Sequence, residues 1–450
     1  MGGNQMTNLK TLTVAGLLAS FLAVPSFAEE NYIVRLKSSA INSVAQQFGV
    51  TVKSALHGSA DNAFVVSVPD GPFGSLVASS LKSSPLVQSV EHDDTLGLPE
   101  LSTFAGSGHK VPALKKWSGN FSLPGPVPAW SAYLNQPAVG IIRLNDAQNY
   151  FGYGSGRVAV IDTGVDYTHP VLFPVTDFWM GFDFTRGNGL DVTGNSDLNQ
   201  ETTPMVDQET TPMVDGSGTI ILNQETTPMV DQETTPMVDG GKLPACFGHG
   251  TMVAGIIHLA APGARILPIK AFSSDGTGKM SDIIKAIYYA VDMGATVINA
   301  SFSTPENSNE LQKAMAYATA HNVVFVTSVA NDGSSAVVFP AGINPAIGVA
   351  STDNNDNRST FSNYGSDVEL GAPGEAILTT FPRNHYALGW GTSFSTPWVA
   401  GTVALMQSVN RRSSIDEVTE DLQDSAHRLL SPGMGAGRLD VFKSVYAAKY

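Results

Sequence analysis

The hydrophobic and polar positions change rhythm along the chain. Over residues 31–93 they form short β-branched or alternating runs at 32–36, 63–68 and 87–91, which read as strands. Runs at 41–48 and 76–81 read as short helices. This β-α-β-α-β order predicts a small α+β domain. From residue 138 onward the strands lose their alternation. Residues 157–161, 265–271, 296–299, 323–326 and 346–350 are short and almost wholly apolar, with helical stretches at 251–259, 280–293 and 308–321 between them. Strands buried on both faces and joined by helices predict a parallel sheet covered on both sides, an α/β architecture.

Three stretches fall outside this pattern. Lys10 precedes an apolar run from Leu12 to Val24, and Ser26-Phe27-Ala28 offers small residues where a signal peptidase reads. Residues 1–28 are therefore expected to be a cleaved export signal. That apolar run is too short to span a bilayer and no later one is longer, so no stable membrane span is expected. Over residues 94–137 Gly and Pro recur, from Gly97 to Pro128, which reads as an extended connector. Finally, the octapeptide Gln-Glu-Thr-Thr-Pro-Met-Val-Asp occurs four times, starting at Gln200, Gln208, Gln224 and Gln232. A proline in every copy excludes a continuous helix or a central strand, so residues 199–241 are expected to be an acidic surface insertion.

Composition adds a few limits. A net charge of −15 argues against nucleic acid or an anionic membrane as partner. The repeats supply eight of the negative charges, and without them the net charge would be −7. Cys246 is the only cysteine, so no intramolecular disulfide can form and stability must come from packing.

The candidate chemistry lies in three short motifs. Val160-Ile161-Asp162-Thr163-Gly164 ends a buried strand, where open α/β sheets place their sites. Gly248-His249-Gly250-Thr251 sets a histidine before a helix, and Gly391-Thr392-Ser393-Phe394-Ser395 sets a serine at the start of another. A serine hydroxyl is a poor nucleophile until a base takes its proton, and histidine is the base suited to neutral pH. A buried carboxylate then holds the imidazole in the right tautomer. Each motif alone is a weak signal, since an Asp after a strand is often only a helix cap. Together they predict nucleophilic catalysis by Asp162, His249 and Ser393.

These motifs, in the order Asp-His-Ser, resemble the subtilisin-like (S8) serine proteases. The resemblance runs over residues 138–445 apart from the repeats, and makes residues 138–450 a peptidase domain acting on protein or peptide substrates. It implies that Ser393 attacks the scissile carbonyl, that His249 serves as base and then acid, and that Asp162 orients His249. Residues 323–333 resemble the strand and turn that bear the family's oxyanion asparagine, which maps onto Asn331. Residues 298–303 resemble the strand lining the substrate groove, which assigns Ser301, Phe302 and Ser303 to substrate binding. Residues 29–93 are similar to the family's inhibitory propeptide (I9-like). That similarity implies a secreted zymogen, extracellular or periplasmic, inhibited by its own propeptide. The propeptide tail, near residues 90–98, would lie in the groove, and autocleavage is expected between about 94 and 128.

The chain also departs from the family pattern. Met252 and Trp398 stand where many members carry histidines, which implies changed packing. Val338 stands where many have a glycine at the base of the P1 pocket, and Phe302 and Ser303 alter its wall, so small or medium P1 residues are expected. The Asn-rich loop of the family's tight calcium site is missing between Ile256 and Ala261, and no cofactor is expected to be required. Acidic loops such as residues 353–356 carry oxygens of the kind that hold weak structural calcium. His169 reads as structural and Cys246 as an inert thiol near His249. The stretch 274–279 lacks the first glycine and the final Ser/Thr of a phosphate loop. The competing readings are a catalytically silent binding protein and an adhesin that works through the repeats.

Overall fold

The computed structural model describes residues 29–58, 61–69, 72–99, 129–186, 237–238, 241–242, 244 and 246–450. The expected export signal, residues 100–128 of the connector and nearly all of the repeat insertion lie outside the described residues. The chain divides into two compact units, Met1–Asp93 and Asp94–Tyr450.

In the first unit β1 (Glu29–Leu36), α1 (Ile41–Phe48), β2 (Thr51–Ala55), β3 (Ala63–Pro69), α2 (Pro72–Ser83) and β4 (Val87–His92) follow in sequence. The four strands form one antiparallel sheet in the order β2-β3-β1-β4, the split β-α-β arrangement. Val34, Leu36, Val44, Phe64, Val66, Val68 and Leu81 make its core. Strand β2 is an addition to the sequence expectation. It is an edge strand with no fully buried residue and a register shift between Val52 and Ser54, so its sequence carries no clear alternation.

The second unit begins with β5 (Thr95–Gly97) and three helices, α3 (Ala129–Leu134), α4 (Pro137–Ile141) and α5 (Leu144–Phe151). Its main sheet is built from β6 (Arg157–Asp162), β7 (Phe182–Asp183), β10 (Arg265–Lys270), β12 (Val297–Ala300), β13 (Val324–Ser328), β14 (Ile347–Thr352) and β15 (Leu370–Pro373). The order is β15-β14-β13-β12-β6-β10-β7, with every neighbour parallel. Strands β12, β13 and β14 are buried at every residue, which is why the stretches 296–299, 323–326 and 346–350 read as largely apolar runs. The two edge strands were not legible. One has two residues, and the other ends on Pro373, a residue that edge positions tolerate.

Short ladders pair β8 (Met237–Val238) with β9 (Gly241–Lys242), β11 (Thr277–Lys279) with β5, and β16 (Ile377–Phe381) with β17 (His385–Gly389). The larger helices are α6 (His249–Ala260), α7 (Met280–Asp292), α8 (Asn309–Ala320), α9 (Thr392–Val409), α10 (Ile415–Ser425) and α11 (Val441–Lys449). Helix α3 falls inside the span expected to be an extended connector. Its Tyr133 is fully buried with the hydroxyl donating to the Gly255 carbonyl, and Gln136 exchanges two hydrogen bonds with the Leu378 backbone at 2.7 and 3.0 Å. This segment therefore belongs to the core. Strand β6 sits mid-sheet with β10 on one side and β12 on the other, so the crevice of an open α/β sheet opens beyond its C-terminal end. Among the described residues no helix is long and apolar enough to cross a membrane.

Candidate active site

Asp162 is the last residue of β6, and His249 is the first residue of α6. His249 Nδ1 donates to both carboxylate oxygens of Asp162, at 2.8 and 2.9 Å, and both side chains are 0% exposed. Asp162 Oδ1 also accepts the Thr163 N–H at 2.7 Å, and Thr163 Oγ1 accepts the Gly250 N–H at 3.1 Å. The strand end and the helix start are thus tied to one another as well as to the carboxylate. Gly250 is needed for this approach, because a Cβ there would lie 2.3 Å from the Gly164 carbonyl oxygen. Gly248, at φ +85°, makes the left-handed turn that delivers His249 to the helix. The Phe394 ring meets the imidazole edge-on, with centroids 5.4 Å apart.

Ser393 is the second residue of α9, so its N–H belongs to the first turn, whose donors have no acceptor within the helix. Its Oγ donates to the Ser301 carbonyl at 3.3 Å, and Ser301 Oγ donates to the Ser393 carbonyl at 3.0 Å. Asn299 Nδ2 in turn donates to Ser301 Oγ at 3.0 Å, which locks the end of β12 to the start of α9. Asn331 Oδ1 accepts both the Thr392 N–H and the Thr392 hydroxyl, at 2.8 and 2.9 Å. With its oxygen engaged on that side, the amide turns Nδ2 the other way. Five separate chain segments contribute here: Asp162 with His249, and Ser393 with Ser301 and Asn331. Thr163 and Thr392, which hold these residues, stand inside the motifs, but nothing in the sequence assigned them a role of their own.

The expected substrate-binding residues divide between two places. Ser301 sits in the network just described, and Ser303 is half-buried. Phe302 is fully buried with its ring 5.3 Å from that of Phe272, and its carbonyl accepts from Ser328 Oγ at 3.3 Å. Val338 packs instead with Val329, Ala330, Ala341 and Met434. Phe302 and Val338 were expected beside one pocket; the two stretches are joined by paired Thr304–Phe339 backbone bonds of 2.8 Å, but the side chains enter different clusters. Asp367, absent from the sequence reading, accepts the Val338 N–H at 3.2 Å, and burial pushes its carboxyl up.

Strand β11 follows the loop after β10. That loop is held to the histidine motif by the Cys246 N–H, which donates to the Ser274 carbonyl at 2.9 Å. Strand β5 pairs antiparallel with β11, Leu96 opposite Gly278, and the ladder continues through the Leu98 N–H to the Gly276 carbonyl at 2.9 Å. Leu96 and Leu98 are buried. His169 accepts the Val171 N–H at Nδ1 (3.2 Å) and contacts the His385 carbonyl through Nε2 (3.1 Å), and burial lowers its pKa. Met252, Trp398 and Cys246 are fully buried.

The acidic loop considered for calcium uses its oxygens elsewhere. Asp353 Oδ1 accepts the N–H groups of Asn355 and Asn357 at 2.8 and 2.9 Å, and Asp356 pairs with Arg438 at 2.6 Å. These residues do not fit a metal site. No cluster of three or more His, Cys, Asp or Glu side chains suited to a metal occurs among the described residues.

Comparison with known proteins converges on one group. A family model described as the subtilase family matches residues 155–438. Thermitase of Thermoactinomyces vulgaris is 36% identical over 295 residues, covering 65% of this chain and 89% of thermitase. The thermophilic serine proteinase of Bacillus sp. (strain AK1) is 33% identical over 296 residues, covering 65% of this chain and 62% of that protein. Subtilisin BL of Lederbergia lenta is 36% identical over 200 residues, 42% of this chain and 74% of the relative. The matched family span exceeds half of the chain and contains β6, the His249 helix and the Ser393 motif, so this chain belongs to the subtilase family and is a serine endopeptidase.

Proposed function

We propose that the chain hydrolyses peptide bonds through Ser393, His249 and Asp162, and that it is made as an exported, self-processed zymogen. The observation that carries the catalytic part is the buried His249–Asp162 hydrogen bond at 2.8 Å, in a unit that also presents Ser393 at a helix start. Because Nδ1 donates to the carboxylate, Nε2 is the ring atom that takes the Ser393 proton as Oγ adds to the scissile carbonyl. For that step the hydroxyl leaves the Ser301 carbonyl for the imidazole. The developing oxyanion is received by Asn331 Nδ2 and the Ser393 N–H, donors already fixed before reaction. The tetrahedral intermediate then collapses, and His249 returns the proton to the departing amine. Water repeats the sequence on the acyl-enzyme and regenerates Ser393.

The zymogen part rests on β5. An extended segment that adds a strand beside a groove binds through main-chain hydrogen bonds, which is how a protease holds peptide. Thr95–Gly97 does this on β11, with Leu96 and Leu98 buried beneath it. The residues 29–93 ahead of it would act as the inhibitory propeptide. Tyr133 and Gln136 are built into the core of the second unit, so processing that spares them falls before residue 129, in keeping with the expected span of about 94–128. Export rests on the Lys10, Leu12–Val24 and Ser26–Ala28 pattern.

Two measurements test this reading. Purified protein should cleave an unfolded protein substrate, and Ser393→Ala should not; equal activity in the variant refutes the assigned nucleophile. Mass spectrometry of the secreted active protein should find its N-terminus between residues 100 and 129. An active protein that begins at Glu29 refutes the zymogen.

A further inference from the structure

Strand β10 reads Arg265-Ile266-Leu267-Pro268-Ile269-Lys270, an apolar strand that ends in a lysine. A lysine at such a place normally carries its ammonium to water, and lysines are almost never fully buried unless paired. Lys270 is 0% exposed. Removing an ammonium from water is costly, so a buried one must be held by oxygens and by charge. Its Nζ donates to the Thr163 carbonyl at 3.0 Å and to the Phe272 carbonyl at 2.9 Å.

These contacts lie directly behind the Asp162–His249 pair. Thr163 gives its N–H to Asp162 Oδ1 and accepts the N–H of Gly250, the residue after His249, so the carbonyl that Lys270 grips belongs to the joint between acid and base. On the other side, the Ala271 and Phe272 N–H groups donate to the Asp162 carbonyl at 3.0 and 3.2 Å, and the Phe272 ring packs on Phe302. In the sheet register Lys270 stands between Asp162 on β6 and Asp183 on β7.

We propose that Lys270 is a positioning residue of this site: its buried ammonium clamps the Asp162–Thr163 turn to the Phe272 carbonyl and sets a fixed positive charge behind Asp162 and His249. The inference rests on the reading of that pair as acid and base. Among the described residues, other charges packed around β10 have partners of their own. On α7 they are Asp282 and Lys285, paired at 3.2 Å, and Asp292, which accepts from the Tyr317 hydroxyl. Asp177, beside the three-residue turn at Phe178–Met180, is held by Arg157 and Arg265. On the His249 side stand Asp166, which accepts the Arg383 N–H, and the pair His169 and His385. Asp183 registers the field of the ammonium. Burial raises its carboxyl, while the Thr185 hydroxyl and the Lys270 charge oppose the rise.

A positive charge near an imidazole disfavours its protonation, so removing the Lys270 charge is expected to favour protonation of His249. The test is an NMR titration of the His249 imidazole in the full-length Ser393→Ala protein, which needs no proteolysis to read. Lys270→Met, similar in size but uncharged, should move the titration upward by between a few tenths and about one unit. Lys270→Arg should leave it in place. In the active enzyme, Lys270→Met should lower kcat on the order of tenfold with KM little changed, and shift the acid limb of the profile to higher pH. An unmoved titration in Lys270→Met, or a loss confined to KM, overturns the proposal. If neutral variants fail to fold, Lys270→Arg decides, since a titration displaced there as well removes the argument from charge. Failure of the catalytic reading is seen separately, as proteolysis that survives Ser393→Ala.

Discussion

The two sheets of this chain bury different things. The four-stranded sheet of the first unit packs an apolar cluster of Val, Leu and Phe, and the buried polar residues described in that unit are Ser67, Ser84 and Asp93. The seven-stranded sheet buries a row of polar groups at or just past the C-terminal ends of its central strands: Asp162, Lys270, Asn299, Ser301, Ser328 and Asn331. A polar group is stable inside a protein only when its hydrogen bonds are made there. Concentrating such groups at one edge therefore needs the mutual network of Thr163, Ser301 and Thr392 described above. The first unit is organised for packing, and the second gives part of its interior to the polar groups of the proposed site.

Breaking the polar row should cost reaction rate, with little change in the first sheet. Asp162→Asn keeps the shape but presents an amide to Nδ1, and should lower kcat about 10⁴-fold with both sheets folded. Steady-state kinetics beside circular dichroism checks this, and a variant with near-normal kcat would break the comparison. Asn331→Ala removes the proposed oxyanion donor and should cost about 10²–10³ in kcat, the size measured for an oxyanion asparagine in subtilisin, the type case. A change in KM alone would contradict that role.

Breaking the apolar sheet should do the reverse. Leu81 is 0% exposed in the first unit's core, and Leu81→Ala should destabilise that unit by about 2–5 kcal/mol. The expected readout is less processed protein, with unchanged kcat in the enzyme that does mature. A lowered kcat in the matured enzyme would show that the division of labour is wrong.

Much of this was legible in the sequence, for physical reasons that also mark its limit. The central parallel strands were readable because burial on both faces forces continuous apolar runs, and Asp162, His249 and Ser393 stood out as candidates because each sits in a motif rich in small residues. Strand β2 was not, since an edge strand such as Thr51–Ala55 carries no fully buried side chain. Helix α3 was hidden by the prolines before it, although Tyr133 is part of the core. Lys270 and Asp367 were hidden because sequence reading sends charged residues to the surface. Phe302 and Val338 were grouped through the family pattern alone; Phe302 packs on Phe272, and Val338 packs with Val329, Ala330, Ala341 and Met434.

The smallest predicted effect concerns acid stability. His258 lies in the last turn of α6, where burial lowers its imidazole from 6.5 to about 4. The unfolded chain binds this proton near 6.5, so the unfolded state takes up more protons between those values. Stability is then fully present above about 6.5 and is lost as pH falls toward 4, up to about 3 kcal/mol from this residue. Urea midpoints at neutral and acid pH should differ less in His258→Gln than in the parent. Equal acid sensitivity in the two proteins would contradict the assignment.

The central claim is that the chemistry sits where β6, α6 and α9 meet, and labelling with a fluorophosphonate tests it most directly. Processed wild-type protein should carry one adduct, mapped by peptide mass spectrometry to Ser393, and labelling should collapse in His249→Ala. An adduct on a different serine, or a processed and folded protein that takes no label, would contradict the account.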